Sequence, residues 1–306
     1  MLKLGIIGMS PGNAHPYSWS AIINGRYDAE EIIKVGYPGV SAYLDANKDT
    51  LGINSALVTH VWTQDKKISE SIAKTAGIKN ISDRLEDMVG KVDAVLLLRD
   101  DPENHVGMAK PFLDAGVPLF IDKPLAINHQ DLAYFSQENA KGKLIMSSSS
   151  MRYANECRSA KTEIASLGKL ELVVGTGKKD WIKYAVHILE AIVAILDDPK
   201  PVSVKNVGKP QKDVVYIEYE NGIQVVLNIF MDIAPTFQVS LFGQKGWKLI
   251  EIRNSYSMFR DNIIEFIRSV QEGRSRLDFE KTVNIIRTII AGKESLEQGG
   301  KTIYLK

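Results

Sequence analysis

A chain of 306 residues exceeds one average domain and suits two. Its hydrophobic fraction of 44%, charged fraction of 25% and net charge of +1 leave no electrostatic footprint for nucleic acid or an anionic membrane. One cysteine, Cys157, and five scattered histidines without H-E-x-x-H spacing exclude a disulfide framework and the common Cys- or His-based metal sites, so the expectation is metal-free and cytoplasmic.

Residues 2–7 read as a buried strand running into Gly8-Met9-Ser10-Pro11-Gly12-Asn13. A helix follows, with Pro16 in its first turn and Asn24-Gly25 closing it. The stretch 26–54 is too long for a connection of about 2–6 residues and reads as an insertion with a short helix near 41–47. Strands at 56–62, 81, 92–98, 117–121 and 144–147 then alternate with helices at 67–76, 83–89, 104–115 and 128–139. That alternation predicts a doubly wound parallel sheet, a Rossmann-type α/β domain over 1–150.

Past residue 150 the pattern changes. Segments 214–219 and 223–231 flank Asn221-Gly222, a strong hairpin signal, and 236–242 and 247–251 flank a second turn. Helices are expected at 181–196, 258–272 and 281–298; the first carries His187 and Glu190 and is too short to span a bilayer. The result is an α+β domain over 151–306 with an open, mainly antiparallel sheet. Ile223, Val225, Leu227, Ile229 and Met231 supply one face of a strand. The opposite face, Gln224, Val226, Asn228 and Phe230, is too apolar to be fully wet, and a second copy of the chain is the expected cover.

A strand, a glycine turn and a helix present backbone N–H groups to a pyrophosphate. Here Ser10 and Asn13 stand where the second and third glycines of G-x-G-x-x-G would be. Gly8, Met9, Ser10, Gly12, Asn13 and the neighbouring His15 are therefore the cofactor-binding candidates. The acid that usually holds the adenine ribose is missing after the second strand. Thr63 takes its place, and Lys66 or Lys67 can attract a 2′-phosphate, so the cofactor expected is NAD or NADP.

The segment Asp101-Pro102-Glu103-Asn104-His105, followed by Phe120-Ile121-Asp122-Lys123-Pro124 and the closing stretch 291–300, resembles the Gfo/Idh/MocA family of NAD(P)-dependent oxidoreductases. Asp-Lys-Pro is a close variant of that family's Glu-Lys-Pro. The resemblance implies that Lys123 reaches the nicotinamide and the substrate hydroxyl and that Pro124 follows a cis bond; Asp122 beside it is a cofactor-binding candidate, and Asp100, at the end of the central strand, is expected to line the nicotinamide end. It also implies an Asp-x-x-x-His pair on the helix holding His187, but the Asp position is Lys183. Lysine cannot accept the ring N–H, and Glu190 is the expected substitute. Lys123, His187 and Lys183 are the catalytic candidates, and Arg152, Tyr184 and Lys183 the substrate-binding ones. Tyr153 and Trp181 are further stacking candidates; His60 and His129 are structural.

Lys123, Lys183 and Arg152 would converge on a cleft short of carboxylates, which points to an anionic sugar or polyol as substrate. Hydride transfer between NAD(P) and that substrate is the expected function. The rivals are an NAD-assisted non-redox enzyme such as a glycosidase, and a silent nucleotide-binding regulator.

Overall fold

The apolar run at the start of the chain forms β1 (Leu2–Gly8), whose last five residues are buried. Helix α1 (His15–Asn24) follows and ends at Gly25, which takes the left-handed conformation expected of a C-terminal glycine. In the computed structural model, which describes residues 1–305, the inserted stretch holds two short helices, α2 (Ala29–Lys34) and α3 (Pro38–Asp45), rather than one. They rest on neighbours through polar contacts. Glu31 accepts from Ser71 Oγ at 2.7 Å and from Lys74 Nζ at 3.0 Å, and the Tyr43 hydroxyl donates to Ser18.

The alternation resumes with β2 (Ala56–Thr63), α4 (Lys66–Ala76), β3 (Asn80–Ile81), β4 (Ala94–Leu97), α5 (His105–Asp114), β5 (Leu119–Ile121), α6 (His129–Ala140) and β6 (Ile145–Met146). The six strands are parallel in the order β3-β2-β1-β4-β5-β6. This is the doubly wound Rossmann order, whose direction reverses between β1 and β4. Ligands bind at the carboxyl ends of the strands flanking such a reversal.

Then come α7 (Asn155–Glu163), β7 (Leu170–Lys178), α8 (Trp181–Ile195), β8 (Pro201–Asn206), β9 (Lys212–Tyr219), β10 (Gln224–Phe230), β11 (Phe237–Gly243), β12 (Trp247–Glu251), α9 (Ser255–Glu272), α10 (Phe279–Glu297) and β13 (Ile303–Tyr304). Seven of these strands form a sheet in the order β12-β11-β7-β10-β9-β8-β13. It is antiparallel except for β7 beside β10. Both expected hairpins, β9–β10 and β11–β12, are present. Strand β7 was not anticipated, because its two glycines weaken the strand signal. Gly175 has a packing reason: a Cβ there would lie 2.4 Å from Ile188 and 2.7 Å from Leu227, so α8 approaches the sheet only over glycine.

Two units emerge from the contacts. The first comprises Met1–Leu125, Ala133–Ser147 and Phe259–Phe279, and the second Ala126–Leu132, Ser148–Met258 and residues 280–305. A single cut at residue 150 misses the return of 259–279 to the first unit. There Phe259 packs on His15 and Phe266 on Phe120. Among the described residues no helix is long and apolar enough to cross a membrane.

Candidate functional site

The turn after β1 keeps its cradle open in spite of the lost glycines. Gly12 has a φ of +79°, and no heavy atom lies within 4 Å of where its Cβ would stand. The two non-glycine residues fold their side chains inward. Ser10 Oγ donates to Asp100 Oδ1 at 2.5 Å and accepts from the Asp100 N–H at 3.0 Å. Asn13 Nδ2 donates to Asp122 Oδ2 at 2.8 Å, and Asn13 Oδ1 accepts the His15 N–H at 2.9 Å. The space above the turn therefore remains available, and the residues fit a dinucleotide's pyrophosphate.

Two backbone donors of such a turn are nevertheless missing. Pro11 has no N–H, and the Met9 N–H is spent on Gln64 Oε1 at 3.0 Å. Gln64 Nε2 returns a bond to the Met9 carbonyl at 2.7 Å. Arg99 Nη1 donates to the same carbonyl at 3.2 Å and to Gln64 Oε1 at 2.8 Å. Met9 is thus clamped to the protein through both of its peptide groups, which corrects its expected role as a phosphate donor. Thr63 is corrected too. It is buried, its hydroxyl donates to the Asp65 carbonyl at 2.6 Å, and it lies 2.9 Å from Ser69 Oγ, so it faces the fold and not a ribose.

The carboxyl ends of β4 and β5 bring the first unit's titratable groups together. Lys123 follows β5, is almost fully buried, and places Nζ 3.9 Å from Asp100 Oδ2 at the end of β4. The Lys123–Pro124 bond is cis. Asp122 is buried; its Oδ1 accepts the Lys123 N–H at 2.9 Å, and its Oδ2 lies 2.7 Å from His15 Nδ1. Burial alone would raise the Asp122 pKa. The charge and hydrogen bond of His15, with Lys123 and the Asn13 amide, outweigh it and hold the carboxyl well below the usual range. Ser10, Asn13, His15, Asp100, Asp122 and Lys123 thus form one bonded cluster, in which the phosphate turn is tied to the strand end that carries the lysine. His105 is a structural bridge, its ring nitrogens 2.9 Å from the carbonyls of Leu125 and Arg99.

In the second unit, α8 is capped by Asp180, whose Oδ1 accepts the Lys183 N–H at 2.9 Å. One turn later His187 places Nδ1 2.7 Å from Ser149 Oγ, and its ring packs on Tyr184 and Phe237. Glu190 does not orient it. The Glu190 carboxylate takes Arg152 Nε at 2.5 Å and the Ser149 N–H at 3.3 Å. Arg152 in turn lies 2.8 Å from Asp198, which also holds Lys281 at 2.8 Å. Burial pushes the Glu190 carboxyl up, and Arg152 recovers only part of that shift. Arg152 is buried and doubly compensated, so it leaves the substrate-binding set, and the expected shortage of carboxylates around it is corrected.

Trp181 leaves the stacking set as well. It is buried, with Nε1 donating to the Ile289 carbonyl at 2.8 Å. Tyr184 stays half-buried beside Lys179, which donates to its hydroxyl and lies 4.2 Å above its ring. Tyr153 is half-buried. His60 sits beside Thr59 and His129 pairs with Glu294. Cys157 is buried, and its thiol is pushed up to about 12 by burial, which makes it a packing group. The sequence reading missed Gln64, Arg99 and Ser149. Of these only Arg99 left a trace, as a charge directly after an apolar strand.

No curated protein sequence matches the chain. Among solved structures it is similar to myo-inositol 2-dehydrogenase from Lactobacillus plantarum, with 15% identity, a TM-score of 0.78, and 100% of this chain and 99% of that one covered. It is also similar to scyllo-inositol dehydrogenase from Lactobacillus casei with bound NAD(H) and scyllo-inositol, with 14% identity, a TM-score of 0.77 and 99% of each chain covered. A probable dehydrogenase from Thermotoga maritima aligns with 15% identity, a TM-score of 0.77, and 99% and 98% covered. At these identities the likeness is one of fold. Residues 2–149 match the model of the oxidoreductase family with an NAD-binding Rossmann fold. The matched part carries the Asp122-Lys123-Pro124 strand end, and the match is to the NAD-binding Rossmann domain of the Gfo/Idh/MocA oxidoreductases.

Proposed function

We propose that the protein is an NAD-dependent dehydrogenase or reductase acting on a sugar or polyol, with Lys123 moving the proton. The observation that carries the reading is Lys123 itself, a buried lysine at the carboxyl end of β5, 3.9 Å from Asp100 and bonded through its own N–H to Asp122. The turn from Gly8 to Asn13 and the start of α1 would hold NAD, which supplies the hydride acceptor or donor when bound. Asp100 keeps the ammonium oriented, and Asp122 ties the lysine's backbone to the phosphate turn through Asn13 and His15. The inositol dehydrogenases of similar fold support a polyol as substrate class.

The test is nicotinamide absorbance across a panel of sugars and polyols, with Lys123→Met beside the wild type. The variant should lose about 10²–10⁴-fold in turnover while NADH still raises the melting temperature. Full turnover in Lys123→Met refutes the assignment.

A second copy covering the outer face of the large sheet belongs to the same proposal. Tyr216, Val226, Val174, Ser240 and Leu249 line up across five strands, with Leu172, Phe242 and Trp247 in the next row. Trp247 and Leu249 are 69% and 53% exposed, a contiguous apolar surface of the kind oligomers bury.

A further inference from the structure

Ser149 determines which nitrogen of His187 carries the proton. A serine hydroxyl has one proton to give and two lone pairs to accept with. Ser149 Oγ accepts the Met151 N–H at 3.3 Å and lies 2.7 Å from His187 Nδ1. Among the described residues no other acceptor bonds this buried hydroxyl. If the ring donated from Nδ1, the Ser149 proton would be left buried without an acceptor, a costly arrangement. The hydroxyl therefore donates to Nδ1, and the neutral ring carries its proton on Nε2. An aspartate partner would do the reverse, taking the Nδ1 proton and leaving Nε2 basic.

The rest of this helix end is also made of donors. Lys183 lies four residues before His187 on α8, so their side chains are neighbours on one face, and among the described residues Lys183 makes no ion pair. Lys178, Lys179 and Lys183 flank Asp180, whose Oδ1 is occupied by the Lys183 N–H and which has Asp213 as its acidic neighbour. A neutral hydroxyl would not repay the desolvation of Lys183; a carboxylate accepts from both groups at once.

We propose that Ser149 is a positioning residue that fixes His187 as the Nε2–H tautomer, and that His187 and Lys183 together bind a carboxylate on the substrate, making that substrate a sugar acid. This rests on the dehydrogenase reading for the reaction, but its two parts are read separately.

The first part is measured by ¹⁵N spectra of histidine-labelled protein saturated with NADH, with His187→Gln to assign the ring. Nδ1 should be the unprotonated nitrogen in the wild type and in Ser149→Thr, and the preference should be lost in Ser149→Ala. A protonated Nδ1 in the wild type overturns the assignment whatever the enzyme turns over. The second part is measured by calorimetric binding of glucuronate, galacturonate and gluconate against glucose, galactose and myo-inositol. At least one acid should bind about tenfold tighter than its neutral counterpart, and Lys183→Met should erase the difference without changing NADH affinity. Equal binding of acids and neutral sugars, or binding of none of the acids, overturns the carboxylate site. Tight acid binding without hydride transfer would leave that site standing and refute the dehydrogenase reading alone.

Discussion

Replacing Arg152 by Met would strand Glu190, which is 1% exposed and has the guanidinium Nε at 2.5 Å as its cation. Removing one partner of a buried pair costs about 3–5 kcal/mol. The lower end applies here, because Glu190 keeps the Ser149 N–H and Asp198 keeps Lys281. About 3 kcal/mol at roughly 2–4 °C per kcal/mol lowers the melting temperature by about 6–12 °C. The pH dependence follows from the direction of the Glu190 shift. Its folded pKa is already raised by burial, and losing Arg152 raises it further. Stability tied to a raised carboxyl is fully present below the unfolded pKa and lost as pH rises through the folded one. The deficit of Arg152→Met should therefore be larger at neutrality and shrink as pH falls toward the ordinary glutamate value of about 4.3. Urea unfolding at pH 7 and pH 4.5, with Arg152→Met/Glu190→Gln as the second variant, measures both effects, and the double variant should recover most of the loss. A deficit under about 1 kcal/mol at pH 7, or one independent of pH, would return Arg152 to the substrate-binding set.

The remaining predictions concern the first unit's carboxylate and the open sheet. Asp122→Asn should destabilise the protein by about 1–3 kcal/mol at pH 7. Because the wild-type carboxyl is held low by His15, Lys123 and Asn13 against its burial, its contribution is present above the ordinary aspartate pKa and lost only as pH falls through the depressed one. The gap between wild type and variant should close in strongly acid solution, as chemical denaturation along a pH series reads. For the sheet, Leu249→Lys with Trp247→Glu should turn an oligomer into monomers by light scattering without changing the far-ultraviolet circular dichroism. A wild type already monomeric at micromolar concentration refutes the second-copy proposal.

Periodicity and turn chemistry made much of the architecture legible. The run at 2–7 is a parallel strand because, the exposed Lys3 apart, nothing in it needs water, and Gly222, at a φ of +79°, makes the turn that Asn221-Gly222 announces. Partner choice among polar side chains was not legible, because the topology makes it. Asn13 and Asp122 are 109 residues apart, and Arg152 and Glu190 are 38 apart. Each of these residues had a plausible ligand role while its partner was unknown. Arg152 read as a substrate anchor and Glu190 as the brace of His187, until each was found to neutralise the other.

Strand β7 shows how one local weakness hides a functional placement. Gly175 and Gly177 depress the strand signal, yet they are what lets Ile188 of α8 approach the sheet. A bulkier residue at 175 would push α8 outward and carry His187, the residue before Ile188, away from Ser149. The hydrogen bond that fixes the ring would then be lost, with the rest of the α8 donor face displaced. The glycines that obscured the strand are thus a condition for the geometry of the histidine, and the two features have to be read together.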